Sequence, residues 1–327
     1  MPCFKDWRRW VKDQRKRIHQ TKATLTEDTL IINAVQGIVQ AAGVIFALGA
    51  TLPRVRAIKK GSNMPIRVVV HGALGRIGRE VINALCADPQ MVPVGAVDKR
   101  AREKHLILPD QSGVIPLSSN LDALLEQTNP EVLVDFSVAE AALPAVRTAV
   151  SHKVNLVIGT TGLPAENLAE IDQLAKNNKV GAIVAPNFAL GAVVMIHLAK
   201  IAAKFFDHAE IIEMHHEQKL DAPSGTALST ARAMLEARGK PFLCPQIQKG
   251  SLDSTRGGEL EGIALHSVRL PGLMAHQEVI FGTSGQTLTL RHDTINRECY
   301  MPGVILAIKK VGELKGLTYG LDTLLGL

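Results

Sequence analysis

A β-branched run, Ile66-Arg67-Val68-Val69-Val70-His71, passes without a linker into Gly72-Ala73-Leu74-Gly75-Arg76-Ile77-Gly78, and Val81, Ile82 and Leu85 then recur at helical spacing. Few folds accept that order. A short continuous apolar run suits a strand buried on both faces. Three glycines between strand and helix suit a tight turn that brings backbone and a helix N-terminus against a pyrophosphate. The spacing is G-x-x-G-x-x-G rather than G-x-G-x-x-G, and a loop can need glycine for backbone angles alone. Position adds weight. A second predicted strand over 92–97 ends at Asp98, 26 residues after Gly72, near the interval of about 20 at which an acid meets a ribose hydroxyl. Lys99 and Arg100 follow, suited either to a 2′-phosphate or to an ordinary solvated turn, so NADH and NADPH are both compatible.

The pattern repeats downstream. Apolar runs at 132–136, 155–158 and 182–185 predict strands, and 121–128, 138–151 and 165–177 predict helices between and around them. Such alternation implies a parallel sheet with right-handed crossovers, the doubly wound α/β architecture. Ligands of these sheets bind beyond the carboxyl ends of the strands. Gly159-Thr160-Thr161-Gly162 stands at one such end, and Ala185-Pro186-Asn187-Phe188 at another. Each alone reads as a turn. Beside the glycine loop, their small residues and hydroxyls let a nicotinamide ring lie against backbone.

The charge balance is deceptive. The chain of 327 residues carries 37 Lys and Arg against 31 Asp and Glu, but residues 1–63 hold 12 bases and 4 acids, leaving 25 bases and 27 acids in 64–327. The basic character therefore belongs to an N-terminal extension, and no nucleic-acid partner is expected for the body. Aromatic content of 4% also leaves little for stacking on bases. Within the extension an apolar stretch over 30–52 is interrupted by Asn33, Gln36 and Gln40. It is compatible with a helical or unstructured appendage, a targeting segment or a membrane tether, and Met64 is an alternative start. No stable membrane association is expected. Cys3, Cys86, Cys244 and Cys299 lie far apart, which opposes a zinc site and a disulfide framework and fits a reducing compartment. A cytoplasmic location is expected, with a plastid-type organelle as the alternative if 1–63 is a targeting segment.

The densest chemistry lies in Glu210-Ile211-Ile212-Glu213-Met214-His215-His216-Glu217-Gln218-Lys219-Leu220-Asp221-Ala222-Pro223-Ser224-Gly225-Thr226-Ala227, which runs into a predicted helix over 227–237. An imidazole is a natural proton donor near neutral pH, and a lysine can hold a carboxylate. Gly225 and Thr226 stand where a helix N-terminus receives a second carboxylate. Zinc is the competing reading, but adjacent histidines point to opposite sides of a strand and no cysteine is near, so no metal is expected.

These residues resemble the 4-hydroxy-tetrahydrodipicolinate reductase family over about 65–327. The most specific match is His215-His216-x-x-Lys219-x-Asp221-Ala222-Pro223-Ser224-Gly225-Thr226-Ala227. The Gly72–Gly78 loop with Arg76, Asp135-Phe136-Ser137, Gly159-Thr160-Thr161-Gly162 and Ala185-x-Asn187-Phe188 support it. Ala189 departs from the serine of many members. The resemblance implies NAD(P)H-dependent reduction of a small cyclic dicarboxylate with loss of water, in the diaminopimelate route to lysine. It assigns proton donation to His215 and Lys219, and substrate contacts to His216, Gly225 and Thr226. Cofactor contacts fall to Gly72, Ala73, Leu74, Gly75, Arg76, Ile77, Asp98, Lys99, Gly159, Thr160, Thr161, Ala185, Pro186, Asn187 and Phe188. Arg269 is read either as a further carboxylate partner or as a sheet-surface arginine.

The same resemblance organises the chain. Residues 64–188 with 294–327 form a Rossmann-like dinucleotide-binding domain, the last stretch (302–325) returning to it as helix. Residues 189–293 form a second α+β domain whose open mixed sheet, with strands near 263–270, 278–281 and 287–291, binds substrate and pairs into a homotetramer. Two rival readings differ in what they require. Another Rossmann-type oxidoreductase shares the glycine loop and Asp98 but does not need the His-His-x-x-Lys and Ser-Gly-Thr elements. A non-catalytic nucleotide-binding protein binds cofactor without turnover.

Overall fold

The computed structural model describes residues 64–245 and 255–327. The basic extension, with its three readings, lies outside the described residues. Among the described residues no helix is long and apolar enough to cross a membrane.

Strand β1 (Ile66–His71) buries Val68, Val69 and Val70 completely. Alternation sends them to opposite faces. Val68 and Val70 join a core with Val81, Ile82 and Leu85 of α1 (Arg76–Ala87). Val69 joins a second core with Leu124 and Leu125 of α2 (Leu121–Thr128), Val146 and Val150 of α3 (Ala139–Ser151), and Ile171 of α4 (Ala165–Asn178). Each fully buried Val, Leu or Ile contributes roughly 1.5–3 kcal/mol over an exposed one. A sheet clothed on both sides follows directly from that apolar run. Its strands are β1, β2 (Met91–Val97), β3 (His105–Ile107), β4 (Val114–Ser118), β5 (Val132–Asp135), β6 (Asn155–Ile158), β7 (Gly181–Val184) and the late β13 (Gly316–Tyr319). The order is β13-β7-β6-β5-β1-β2-β4-β3, parallel apart from β3. Succession runs one way from β1 to β2 and the other way from β5 to β7, so the crevice of a doubly wound sheet falls between β1 and β5.

A second sheet, ordered β12-β11-β8-β10-β9, follows α5 (Leu190–Ala202). Its strands are β8 (His208–His215), β9 (Gly258–Leu260), β10 (Ile263–Arg269), β11 (Ala275–Thr283) and β12 (Gln286–Thr294), with α6 (Gly225–Arg238) between β8 and β9. β10 runs parallel to β8, and β11 antiparallel to both β8 and β12. One face packs Ala209, Ile211, Leu265, Val279 and Phe281 against Met195 and Ala199 of α5 and Ala231 and Met234 of α6. On β8 that inward face reads Ala209, Ile211, Glu213, His215, so its last two places are polar.

The structure corrects the expected elements in three ways. β3 and β4 were not expected: β3 is a three-residue edge strand, and β4 carries Pro116 within a partly exposed run, which weakens any alternating signal. Helix α6 begins at Gly225 rather than residue 227, because Ser224 caps it. The final stretch is not one helix. After α7 (Met301–Val311) the short run Gly316–Tyr319 pairs with the otherwise free edge of β7, and α8 (Leu321–Leu325) follows.

Candidate active site

At the crevice, Gly72 adopts φ +78°, and a Cβ there would lie 2.5 Å from the Phe136 carbonyl oxygen at the end of β5. The Gly72 and Ala73 N–H groups donate to the Val97 carbonyl at 2.9 and 3.1 Å, pinning the loop to β2. Gly75 then opens α1 with no side-chain cap and no acid in the first turn, and Arg76 is exposed. An uncapped, acid-free helix start over a glycine turn suits a pyrophosphate, so the chain's own residues fit a dinucleotide. Leu74 and Ile77 flank the turn half-buried, whereas Ala73 is fully buried and offers only backbone.

Asp98 is buried at the end of β2. Its Oδ1 accepts from the Arg100 backbone N–H and Nε, both at 2.9 Å, and its Oδ2 from Leu74 N and Arg100 Nη2, both at 3.0 Å. A carboxylate has about four acceptor positions. All four are filled, so a ribose hydroxyl reaches Asp98 only by displacing the Arg100 guanidinium; Lys99 beside it is exposed. The Arg100 side chain, aided by backbone N–H groups and opposed by burial, holds the Asp98 carboxyl down at about 2. Because this value lies below the ordinary one, the pair stabilises the fold above about pH 4 and loses that contribution as pH falls toward 2. With Arg100 exposed and screened by solvent, the contribution is small. Denaturant titrations of wild type and Asp98→Asn are expected to differ at pH 5 and to converge near pH 2. A gap independent of pH would show that the Asp98 charge is not what stabilises.

Asp135, also buried, ties the crevice together. It meets His71 Nδ1 at 2.8 Å, accepts from the Thr160 hydroxyl at 2.9 Å and from Ser137 N–H at 3.2 Å. The Thr160 hydroxyl is thereby committed to the protein, while Gly159 is half-buried and Thr161 exposed. Phe136 and Phe188 pack with ring centroids 5.7 Å apart. Ala185 and Phe188 are buried, Pro186 is exposed, and Asn187 Oδ1 accepts from Ala189 N–H at 2.9 Å at the start of α5. The Asn187 side chain therefore serves the N–H of Ala189, where the residue itself offers no hydroxyl.

The second cluster lies at the carboxyl end of β8. His215 Nδ1 sits 2.5 Å from Glu213 Oε2. Glu213, fully buried, also receives Arg269 Nη1 on Oε2 at 2.9 Å, Arg269 Nη2 on Oε1 at 2.8 Å, and Ser224 N–H on Oε1 at 3.2 Å. Burial alone raises the Glu213 carboxyl, but hydrogen bonds from Arg269, Ser267 and His215 outweigh it and leave it below its ordinary value, hence ionised. His215 is lowered, first by burial, with Lys219 and Arg269 adding and Glu213 opposing. Lys219 Nζ donates to Asp221 Oδ1 at 2.7 Å. Ser224 Oγ caps Ala227 N–H at 3.2 Å, which leaves Gly225 and Thr226 as the first two residues of α6. His216, half-buried, lies just past the strand, its carbonyl accepting from Lys219 N–H.

Thus the structure gathers His215, His216, Lys219, Gly225 and Thr226 at one end of the second sheet, and the glycine loop, Asp98 and the two strand-end turns at the crevice of the first. Arg269 is part-buried and paired, unlike a solvated sheet-surface arginine. Its fork faces Glu213, and Nη2 also donates to the Asp221 carbonyl at 2.6 Å, so it is the counter-ion of a buried acid. Glu213 lay within the expected run but had no role assigned to it. Its signal is an acid on the alternation Ala209, Ile211, Glu213, His215, where a buried strand face calls for an apolar residue.

Family models described as dihydrodipicolinate reductase, N-terminus and C-terminus, match residues 66–188 and 191–325. This chain belongs to the dihydrodipicolinate reductase family. A 4-hydroxy-tetrahydrodipicolinate reductase of Dehalococcoides mccartyi is 60% identical over 263 residues, covering 80% of this chain and 99% of that one. One of Moorella thermoacetica is 51% identical over 264 residues, covering 80% and 98%. A solved structure of dipicolinate-bound dihydrodipicolinate reductase from Paenisporosarcina sp. TG-14 aligns with TM-score 0.72 and 41% identity over 80% of this chain and 99% of that one. An amine dehydrogenase of Mycobacterium smegmatis, at 18% identity and TM-score 0.56, shares the fold alone. As a member of this reductase family, the chain is an oxidoreductase. It reduces 4-hydroxy-tetrahydrodipicolinate to tetrahydrodipicolinate with NADH or NADPH, a step of lysine biosynthesis.

Proposed function

We propose that the two clusters divide this reaction, the crevice of the first sheet holding the cofactor and the end of the second sheet holding the diacid and its proton donor. The observation that carries this reading is the grouping of His215 and the open start of α6 around one buried carboxylate, with Lys219 beside His215. NADH or NADPH, when bound, supplies the hydride. Gly72 to Ile77, Asp98, Lys99, Gly159 to Thr161 and Ala185 to Phe188 bind and orient the dinucleotide. One hydride and one proton enter and one water leaves. His215 donates that proton from Nε2, and Lys219 turns from Asp221 to a substrate carboxylate and assists the transfer. The second carboxylate meets the N–H groups of Gly225 and Thr226 and the Thr226 hydroxyl, with His216 alongside. A dianion so placed favours the imidazolium, offsetting the burial that lowers His215 in the free protein.

Strand membership supports a nucleotide-binding domain of 64–188 with 294–327 and a substrate domain of 189–293, since β13 pairs with β7 while β8 to β12 form their own sheet. On the second sheet, the face away from α5 and α6 carries Ile212, Met214, Val268 and Ile280 half-buried, which supports assembly through that face into a homotetramer. The wide spacing of the cysteines supports a cytoplasmic location. Dipicolinate is a planar dicarboxylate mimic suited to testing the binding half. In calorimetric titrations with NADH present, Thr226→Val is expected to weaken dipicolinate about 10-fold, the worth of one hydrogen bond to a charged group. Unchanged affinity would remove Thr226 from the carboxylate site.

A further inference from the structure

A fully buried carboxylate on the core-facing side of a strand calls for a reason. Hydrophobic residues of similar volume often stabilise as well as a buried ion pair does. Glu213 has no exposed surface, and its two oxygens join three elements: His215 of its own strand, Arg269 of β10, and the N–H of Ser224, the residue whose Oγ caps α6. An ionised carboxylate only accepts hydrogen bonds. The proton between Glu213 Oε2 and His215 Nδ1 therefore belongs to the ring, and any proton that His215 passes on sits at Nε2. The same carboxylate holds the first residue before Gly225, so one group sets both the donor ring and the helix start that faces the diacid.

We propose that Glu213 is the positioning residue of this site, orienting His215 and fixing its Nδ1 proton so that Nε2 delivers the transferred one. This rests on the reading of His215 as proton donor. Glu213 acts through His215 and touches no reacting atom, so removing its charge changes the ring's tautomer and acidity before it changes binding. The charged groups facing His215 are Glu213 on β8, Arg269 on β10, and Lys219, itself paired with Asp221, on the loop after β8. Against β8, the neighbouring β11 offers only the neutral Ala275 and Gln277, and α6 the neutral Ser224. Glu213 is thus the negative partner in direct contact with the ring.

The test is Glu213→Gln in wild-type and His215→Gln backgrounds, read by kcat, by its pH profile and by nitrogen NMR of the His215 ring. In the wild-type background kcat is expected to fall about 100-fold, with the affinities for NADH and dipicolinate within about 3-fold. The alkaline limb of kcat moves to lower pH, and the Nδ1-protonated signature of His215 is lost. In the His215→Gln background the same change is expected to cost less than about 3-fold, because two groups acting as one unit are not additive. Glu213→Asp, which keeps the charge, restores the pH limb in part. Should Glu213→Gln fail to fold around the unpaired Arg269, the double change Glu213→Gln with Arg269→Met removes the pair, and the same comparison across backgrounds applies. An equal loss in both backgrounds makes the role merely structural and overturns the proposal. A wild-type kcat and pH limb in Glu213→Gln beside an inactive His215→Gln also overturns it alone, whereas a fully active His215→Gln removes the proton-donor reading first.

Discussion

Replacing His215 by Gln is expected to lower kcat at least ~100-fold at neutral pH, the usual scale for loss of a general acid, and Lys219→Ala is expected to do the same. The assay condenses pyruvate with aspartate semialdehyde enzymatically and follows oxidation of NADH or NADPH. The two variants should then separate. His215 is held from behind by Glu213 and presents only Nε2, so its loss falls on kcat with little change in KM. Lys219 is the only one of the two with a competing partner, Asp221 at 2.7 Å, which it must leave to meet a carboxylate, so its loss raises KM for the diacid as well. The pH dependence has a fixed sign. His215 donates as imidazolium, and burial lowers its affinity for the proton, so kcat of the wild type declines as pH rises through the value of the bound ring. His215→Gln loses that limb. If it keeps wild-type turnover while still binding NADH, proton donation from this residue is wrong.

Gly78→Ala is expected to damage nucleotide binding with a single methyl. A Cβ at Gly78 would lie 2.2 Å from the Gly72 carbonyl oxygen and 2.9 Å from Ala73 Cα, both backbone atoms that no side-chain rotation can relieve. Either α1 withdraws from the loop or the loop leaves its hydrogen bonds to Val97. Overpacking of this kind costs about 1–3 kcal/mol. The functional loss is larger than the stability loss, because the N–H groups that face the pyrophosphate move together with the helix. Affinity for NADH, read by fluorescence titration, is expected to fall at least ~30-fold, consistent with how steeply misplacement of a site by about 1 Å is penalised. Gly113→Ala, where an added Cβ meets nothing within 4 Å, serves as the neutral control. Equal NADH affinity in both variants would show that the third glycine of the loop does not set the helix position.

The catalytic segment depends on its surroundings more than its motif implies. Gly225 and Thr226 are available to a carboxylate because Ser224 takes the cap of α6, and Ser224 is itself anchored through its N–H to Glu213. The crevice shows the same economy of parts. Asp135 lies beside His71 at the ends of β1 and β5 and fixes Thr160, so the hydroxyl that looked free for a ligand is structural and Thr161 is the exposed one.

Local information was enough for much of this protein. The doubly wound sheet was legible because a strand buried on both faces leaves a continuous β-branched run, and because glycines at a strand-to-helix turn have few other uses. The proton-donor segment was legible because its residue types lie close together along the chain. What the tertiary structure alone decided were the relations between residues distant in sequence. Arg269 became the counter-ion of Glu213, 56 residues away. Gly316–Tyr319 became a strand because β7 offered an unpaired edge, and Asp98 filled its acceptor positions from Arg100 and from Leu74, 24 residues away. Charge pairing and edge pairing depend on which groups meet after folding, and the order of residues along one strand or helix does not encode that meeting.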